Sequence, residues 1–286
     1  MITETSGAET HATTPNRFAQ VGDHRYAYRR FGNRHGSPII FRQHYRGNMD
    51  YWDPIVTDEL AREHEVILFD NAGVGLSSGQ TPDNVLAMTN HVSAFVDSLG
   101  LAQFDILGFS LGGFIAQRLA LTRPSSVRRI ILAATGPQGG QGMDRFTTDV
   151  ATHANPDIPD IEDLLAVFFE PTERSQTAGR AHYLRTSLRV AEPDTFTNLQ
   201  TRDAQLKAIQ AWGAPDGMAY ARLKYIQQPV LVVNGINDTM FLSINSFILA
   251  SNIPNAILTL YPDSGHGSIF QYAELFAKQA LGFLAN

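Results

Sequence analysis

The chain has no cysteine among its 286 residues. That excludes disulfides, thiolate metal sites and a cysteine nucleophile, and it fits a reducing compartment. Positive charge is also scarce: 22 Lys and Arg stand against 28 Asp and Glu, for a formal net charge of −6. No basic cluster is dense enough to grip a phosphate backbone, so a nucleic-acid partner is not expected. No apolar run approaches the ~20 residues that a membrane-crossing helix needs. The opening MITETSGAETHATTPN lacks a basic start and an apolar core, so it does not read as a signal peptide. A frayed tail over residues 1–15 is expected instead. The 9 histidines are scattered without ligand spacing, so neither a metal nor a cofactor is expected. These absences leave a cytoplasmic protein whose partner is a small molecule.

What is present is enough apolar sequence for a full core, 43% of residues. Short β-branched runs alternate with longer helical patterns, the signature of a mostly parallel sheet flanked by helices. RFAQVGDHRYAYRRFG alternates around Gly22-Asp23 and reads as an opening hairpin. SPIIFRQ (37–43) and EVILFD (65–70) read as strands around a helical segment near 49–63. DNVLAMTNHVSAFVDSLG (83–100) spaces its apolar residues for an amphipathic helix that ends at Gly100. Strands are expected at 104–109, 128–135, 229–235 and 256–262, with helices at 111–122 and at the C-terminus. Residues 136–222 break this rhythm. They open with GPQGGQG, carry helical patterns such as IEDLLAVFFEP, and hold no convincing strand. The expected organisation is an α/β core in two parts, 16–135 and 223–286, with a helical cap inserted over the carboxyl ends of the strands, where open α/β sheets bind ligands.

The chemistry concentrates at FDILGFSLGGFIAQ (104–117). Gly108-Phe109-Ser110-Leu111-Gly112 is a G-x-S-x-G pentapeptide between a strand and a helix. A sharp turn there strains the serine backbone, and glycines two residues away remove side chains that would collide. The hydroxyl protrudes while the helix N-terminus aims its amides at the same spot.

On these residues the chain resembles the α/β-hydrolase family, in its serine hydrolases of carboxylesterase or lactonase type with a helical cap. The resemblance runs from about residue 20 to the C-terminus and is weakest in the cap. It implies Ser110 as nucleophile, then an acid, then a histidine, in that chain order. His266, in YPDSGHGSIF after the last strand, matches the histidine. Asp238, in NGINDTM after strand 229–235, matches the acid, whereas Asp263 is expected to cap its own turn. For the oxyanion hole the family often has His-Gly-x after the strand at 37–43. Aligning Trp52 with the family's tryptophan puts Gln43 and His44 on that pair, so His44 replaces the usual glycine. The amides of Tyr45 and Leu111 are then the expected oxyanion donors. FDNAGVGLSSG (69–79) resembles a family turn, with Asp70 as a structural carboxylate. Gly73 and Gly75 lack the dinucleotide spacing.

Expected substrate-binding residues are His44, Phe168, Phe169, Tyr183, Trp212 and Met240, with Met143 and Phe241 as further candidates. The implied activity is hydrolysis of a small apolar ester, lactone or thioester. A cofactor-free perhydrolase or haloperoxidase, a carbon–carbon bond hydrolase gripping a second carbonyl near His44 and Arg46, and cofactor-independent oxygenase chemistry on the His/Asp pair are alternatives. A capped ligand receptor with a slow triad is the non-enzymatic one.

Overall fold

The computed structural model describes residues 9–285. Eight strands form one sheet in the order β1-β2-β4-β3-β5-β6-β7-β8. β1 (Arg17–Val21) and β2 (His24–Gly32) make the expected hairpin, and β2 pairs antiparallel with β4 (Glu65–Phe69). All later pairings are parallel, through β3 (Pro38–Arg42), β5 (Phe104–Phe109), β6 (Val127–Ala133), β7 (Val230–Gly235) and β8 (Ala256–Tyr261). β4, β5 and β7 are buried at every residue. This explains why they read as unbroken apolar runs rather than alternations.

α1 (Pro54–Ala61) starts on Asp53, whose carboxylate accepts from the Ile55 amide, with proline in the first turn. α2 (Val85–Ser98) is capped by Asn84 and buries its apolar face against the sheet. α3 (Leu111–Thr122) follows β5 with a single residue between them. Between β6 and β7 come α4 (Thr148–Ala154), α5 (Ile161–Phe168), α6 (Glu173–Thr186), α7 (Leu199–Gly213) and α8 (Ala219–Leu223), with no strand. The helical spacing of AGRAHYLRTSLRVA (178–191) predicts a helix that in the structure stops at Thr186, where Ser187 closes the last turn. α9 (Ser243–Asn252), α10 (Ser268–Gln271) and α11 (Ala273–Ala285) complete the chain.

The α4–α8 segment is tied to the core by buried polar contacts. Asp53 takes the His182 Nδ1–H at 2.9 Å and is gripped by Arg185, whose nearer nitrogen stands 2.6 Å away. Arg29, fully buried in β2, pairs with Asp50 at 2.5 Å and with Asp194 at 3.3 Å. Of the expected frayed tail, residues 1–8 lie outside the described residues. Residues 9–15 depart from that expectation. The His11 amide donates to Asp58 at 2.7 Å, and Arg189 caps the carbonyls of His11, Ala12 and Thr14. These partners come from distant parts of the chain, so local composition gave no sign of them.

Candidate active site

Ser110 occupies the junction of β5 and α3 with φ 56° and ψ −119°, in the left-handed half of the map that a side chain rarely enters. Its neighbours make that conformation possible. A Cβ at position 112 would stand 2.1 Å from the Arg42 carbonyl oxygen, and one at 108 would stand 2.5 Å from the Gly112 oxygen. At 113 it would meet Thr135 Oγ1 at 2.5 Å. The turn is stapled to the end of β6: the Ser110 amide donates to the Ala133 carbonyl at 2.9 Å, and the Thr135 hydroxyl donates to the Ser110 carbonyl at 2.8 Å. Strain of this kind persists only where surroundings over-determine it.

His266 lies in the loop between β8 and α10. Its Nδ1 is 2.8 Å from Asp238 Oδ2, and both side chains are fully buried. A carboxylate oxygen here accepts, so Nδ1 carries a proton, and in the neutral imidazole Nε2 keeps its lone pair. The other Asp238 oxygen accepts the amides of Met240 and Phe241 at 2.8 and 3.0 Å, which locks the carboxylate. Asp263 is held elsewhere, by the Thr172 hydroxyl at 3.0 Å. Ser110 Oγ and His266 Nε2 are buried without hydrogen-bond partners, including each other. Both residues line one cavity of about 140 Å³.

Tyr45 follows β3 and lines the same cavity, its hydroxyl donating to Asn155 Oδ1 at 2.7 Å. Leu111 is the first residue of α3, so its amide is one of the donors a helix leaves unpaired at its start. His44 lies between Tyr51, Phe109 and Phe168 in edge-on ring contacts. Burial above all lowers its pKa to about 3, against the opposing pull of its bond to the Tyr45 carbonyl. His44 is therefore neutral at pH 7. Burial also raises the Tyr45 phenol well above its ordinary value. Asp70 takes the Met49 amide at 2.9 Å behind this turn, and burial raises its pKa.

Of the expected substrate-binding residues, His44, Phe168, Tyr183 and Met240 line the cavity. Phe169 and Trp212 do not. Phe169 follows the end of α5 and turns toward Gly179 and His182, while Trp212 stacks on Phe114 and donates to the Gly136 carbonyl. Met143 and Phe241 are likewise absent from the wall. Leu164, Val167, His153 and Phe196 line it unanticipated. The i, i+3, i+4 spacing of Leu164, Val167 and Phe168 was the available signal for the first two. Phe196 sits in an irregular loop and offered none. Arg46 also lines the cavity, but its guanidinium donates to the carbonyls of Pro156 and Asp157 at 2.6 and 3.2 Å. Among the described residues no group of three or more His, Asp or Glu is placed to hold a metal ion. No described helix is long and apolar enough to cross a membrane.

A strained serine between strand and helix, beside a histidine after the last strand, on an eight-stranded mostly parallel sheet defines a class of enzyme fold. The profile of the alpha/beta hydrolase fold matches residues 38–272, and the chain belongs to that family. An alpha/beta hydrolase fold protein from Chitinophaga pinensis is 43% identical, with a TM-score of 0.92 over 96% of this chain and 99% of that one. A 2-hydroxymuconate semialdehyde hydrolase from Pseudomonas sp. strain CF600 is 27% identical over 81% of this chain and 80% of its own length. A pimeloyl-[acyl-carrier protein] methyl ester esterase from Nitrosomonas europaea is 26% identical over 85% of this chain and 94% of its own. The relatives are named hydrolases, and this chain is an enzyme of the same fold.

Proposed function

We propose that the protein hydrolyses a small carboxylic ester, lactone or thioester with an apolar acyl or alkyl part through a covalent acyl-enzyme. The observation that carries this reading is the pair of unpaired atoms, Ser110 Oγ and His266 Nε2, on one cavity wall behind a locked Asp238–His266 bond. His266 takes the Ser110 proton as Oγ attacks the substrate carbonyl. Asp238 holds the tautomer and stabilises the imidazolium that forms. The developing oxyanion falls to the amides of Tyr45 and Leu111. His266 then protonates the leaving alkoxide or thiolate and activates a water for deacylation. Helices α4–α8 act as a cap, and Leu164, Val167, Phe168 and Met240 supply an apolar surface for the substrate.

A carbon–carbon hydrolase would need a group to grip a second carbonyl. Arg46 is a weak candidate for it, because its guanidinium already serves backbone carbonyls of the cap. Ser110→Ala is expected to abolish both p-nitrophenyl butyrate turnover and fluorophosphonate labelling. Turnover that survives would place the nucleophile elsewhere. A native protein that neither labels nor turns over esters would be better explained as a capped receptor.

A further inference from the structure

The residue that departs from the family pattern, His44, has a geometry of its own. Its Nδ1 is 2.7 Å from the Tyr45 carbonyl oxygen, which can only accept, so Nδ1 carries the proton and Nε2 does not. Nε2 is buried and has no partner. On the preceding side, the His44 amide donates to Gln43 Oε1 at 2.9 Å. Side chains thus pin the peptide groups before and after the one that carries the Tyr45 N–H. The next residue, Arg46, is held at φ 65° by Gln205, which accepts its amide at 2.7 Å, and by Thr197, which donates to its carbonyl at 2.6 Å. A glycine at 44 could not supply the first of these struts.

Behind the turn lies a second, smaller cavity of about 10 Å³, lined among others by Arg42, His44, Asp70, Asn71 and Leu111. That is room for one water. Four buried side-chain atoms of these residues are unpaired: Arg42 Nε, His44 Nε2, Asn71 Oδ1 and Asp70 Oδ2. Asp70 Oδ2 lies toward Asp194, since a single point beside Gly75 is 2.1 Å from it and 3.1 Å from Asp194 Oδ1. The remaining three are one donor and two acceptors, the complement of a water that accepts once and donates twice.

Resting on the hydrolase reading above, we propose that His44 is a positioning residue of the oxyanion turn: its Nδ1–H holds the Tyr45 carbonyl, and its Nε2 accepts from one buried water shared with Arg42 and Asn71. His44 is then no substrate contact. The depressed basicity of its ring keeps both bonds intact across the working pH range.

Three measurements test this. Nitrogen-15 spectra of the native enzyme, with His44 assigned by the loss of its signals in His44→Asn, should show Nδ1 protonated and Nε2 bare from pH 5 to 8. An Nε2–H tautomer or an imidazolium overturns the assignment. A high-resolution crystal structure should show a water within hydrogen-bond distance of at least two of His44 Nε2, Arg42 Nε and Asn71 Oδ1; a dry cavity overturns it. His44→Leu should lower kcat roughly 10- to 100-fold with KM within about twofold, the scale expected from a small misplacement. His44→Asn, which can still donate to the Tyr45 carbonyl, should recover most of that loss. A raised KM at unchanged kcat would make His44 a substrate contact, and equal losses in both variants would remove the strut; either result sinks the proposal. The spectra and the water do not depend on turnover, so a failure of the hydrolase reading, seen as an active Ser110→Ala, remains distinguishable.

Discussion

The amide of Gly267 donates to the carbonyl of Phe168 at 2.7 Å. One residue follows His266 and the other ends α5, so the histidine loop and the helical segment above it are joined by backbone. A Cβ at 267 would stand 2.9 Å from Phe168 Cβ and 3.0 Å from its carbonyl oxygen. Gly267→Ala therefore has to shift either the end of α5 or the imidazole. It should cost about 1–3 kcal/mol as an overpacked site and lower kcat about tenfold or more, read by urea unfolding and steady-state kinetics. An unchanged kcat would mean that the two segments move independently.

Asp238 and Asp263 are separated by their partners rather than by their distance along the chain. Asp238→Asn keeps an oxygen for the Met240 and Phe241 amides but cannot accept the His266 Nδ1–H. It should lower kcat by roughly 10⁴, as in the serine-protease template. Asp263→Asn, which loosens only the Thr172 contact, should stay within about threefold. Interchanged effects would reassign the acid.

The elbow glycines should differ sharply from a glycine with free space. Gly112→Ala drives a methyl group against the Arg42 carbonyl, and overpacking against backbone cannot relax by a rotamer change. A loss of several kcal/mol, or failure to fold, is the expected outcome. A Cβ at Gly217 meets nothing within 4 Å, and Gly217→Ala should stay within about 0.5 kcal/mol. Thermal melts of the two variants side by side check this.

Acid should destabilise the protein partly through His11. Burial above all lowers its pKa to about 3, against an ordinary 6.5. Between those values the unfolded chain binds the proton and the folded protein does not, so stability falls as pH drops through 6.5 toward 3. Asp194, raised to about 6 chiefly by burial, works in the opposite sense between pH 6 and 3.8. The His11 contribution is therefore read as a difference. The stability gap between the native protein and His11→Gln should narrow by up to about 1.4 kcal/mol for each pH unit lowered in that window. A gap independent of pH would show that His11 takes up its proton in the folded state.

Much of the fold was legible because buried parallel strands leave a local record. β5 and α3 fall at the bounds read from FDILGF and LGGFIAQRLALT, and the strands on either side shift by only a residue or two. α4 and α9 were not anticipated: α4 is 7 residues long, and α9 carries Ser, Asn and Ile in a pattern without a clear period. The closing helix reads as one run in sequence but splits at Tyr272 into α10 and α11.

The candidate site divides along the same line. Ser110, with its strand, helix and glycines, could be read locally, because the pentapeptide and its flanking runs lie in one short stretch, although the atoms that bar side chains at 112 and 113 belong to Arg42 and Thr135. The sequence by itself also determined that the sheet is mostly parallel, that helices interrupt it after β6, and that cysteine chemistry is excluded. The resemblance pointed to Asp238 rather than Asp263, but only the tertiary structure decided that Asp238 meets His266 while Asp263 takes the Thr172 hydroxyl, since both carboxylates precede the histidine in the chain. It also decided that Phe168 faces the cavity while Phe169 turns toward His182, and that His11 is packed rather than frayed. Those outcomes depend on contacts between segments far apart in the chain, and such contacts are set by the packing of the whole domain.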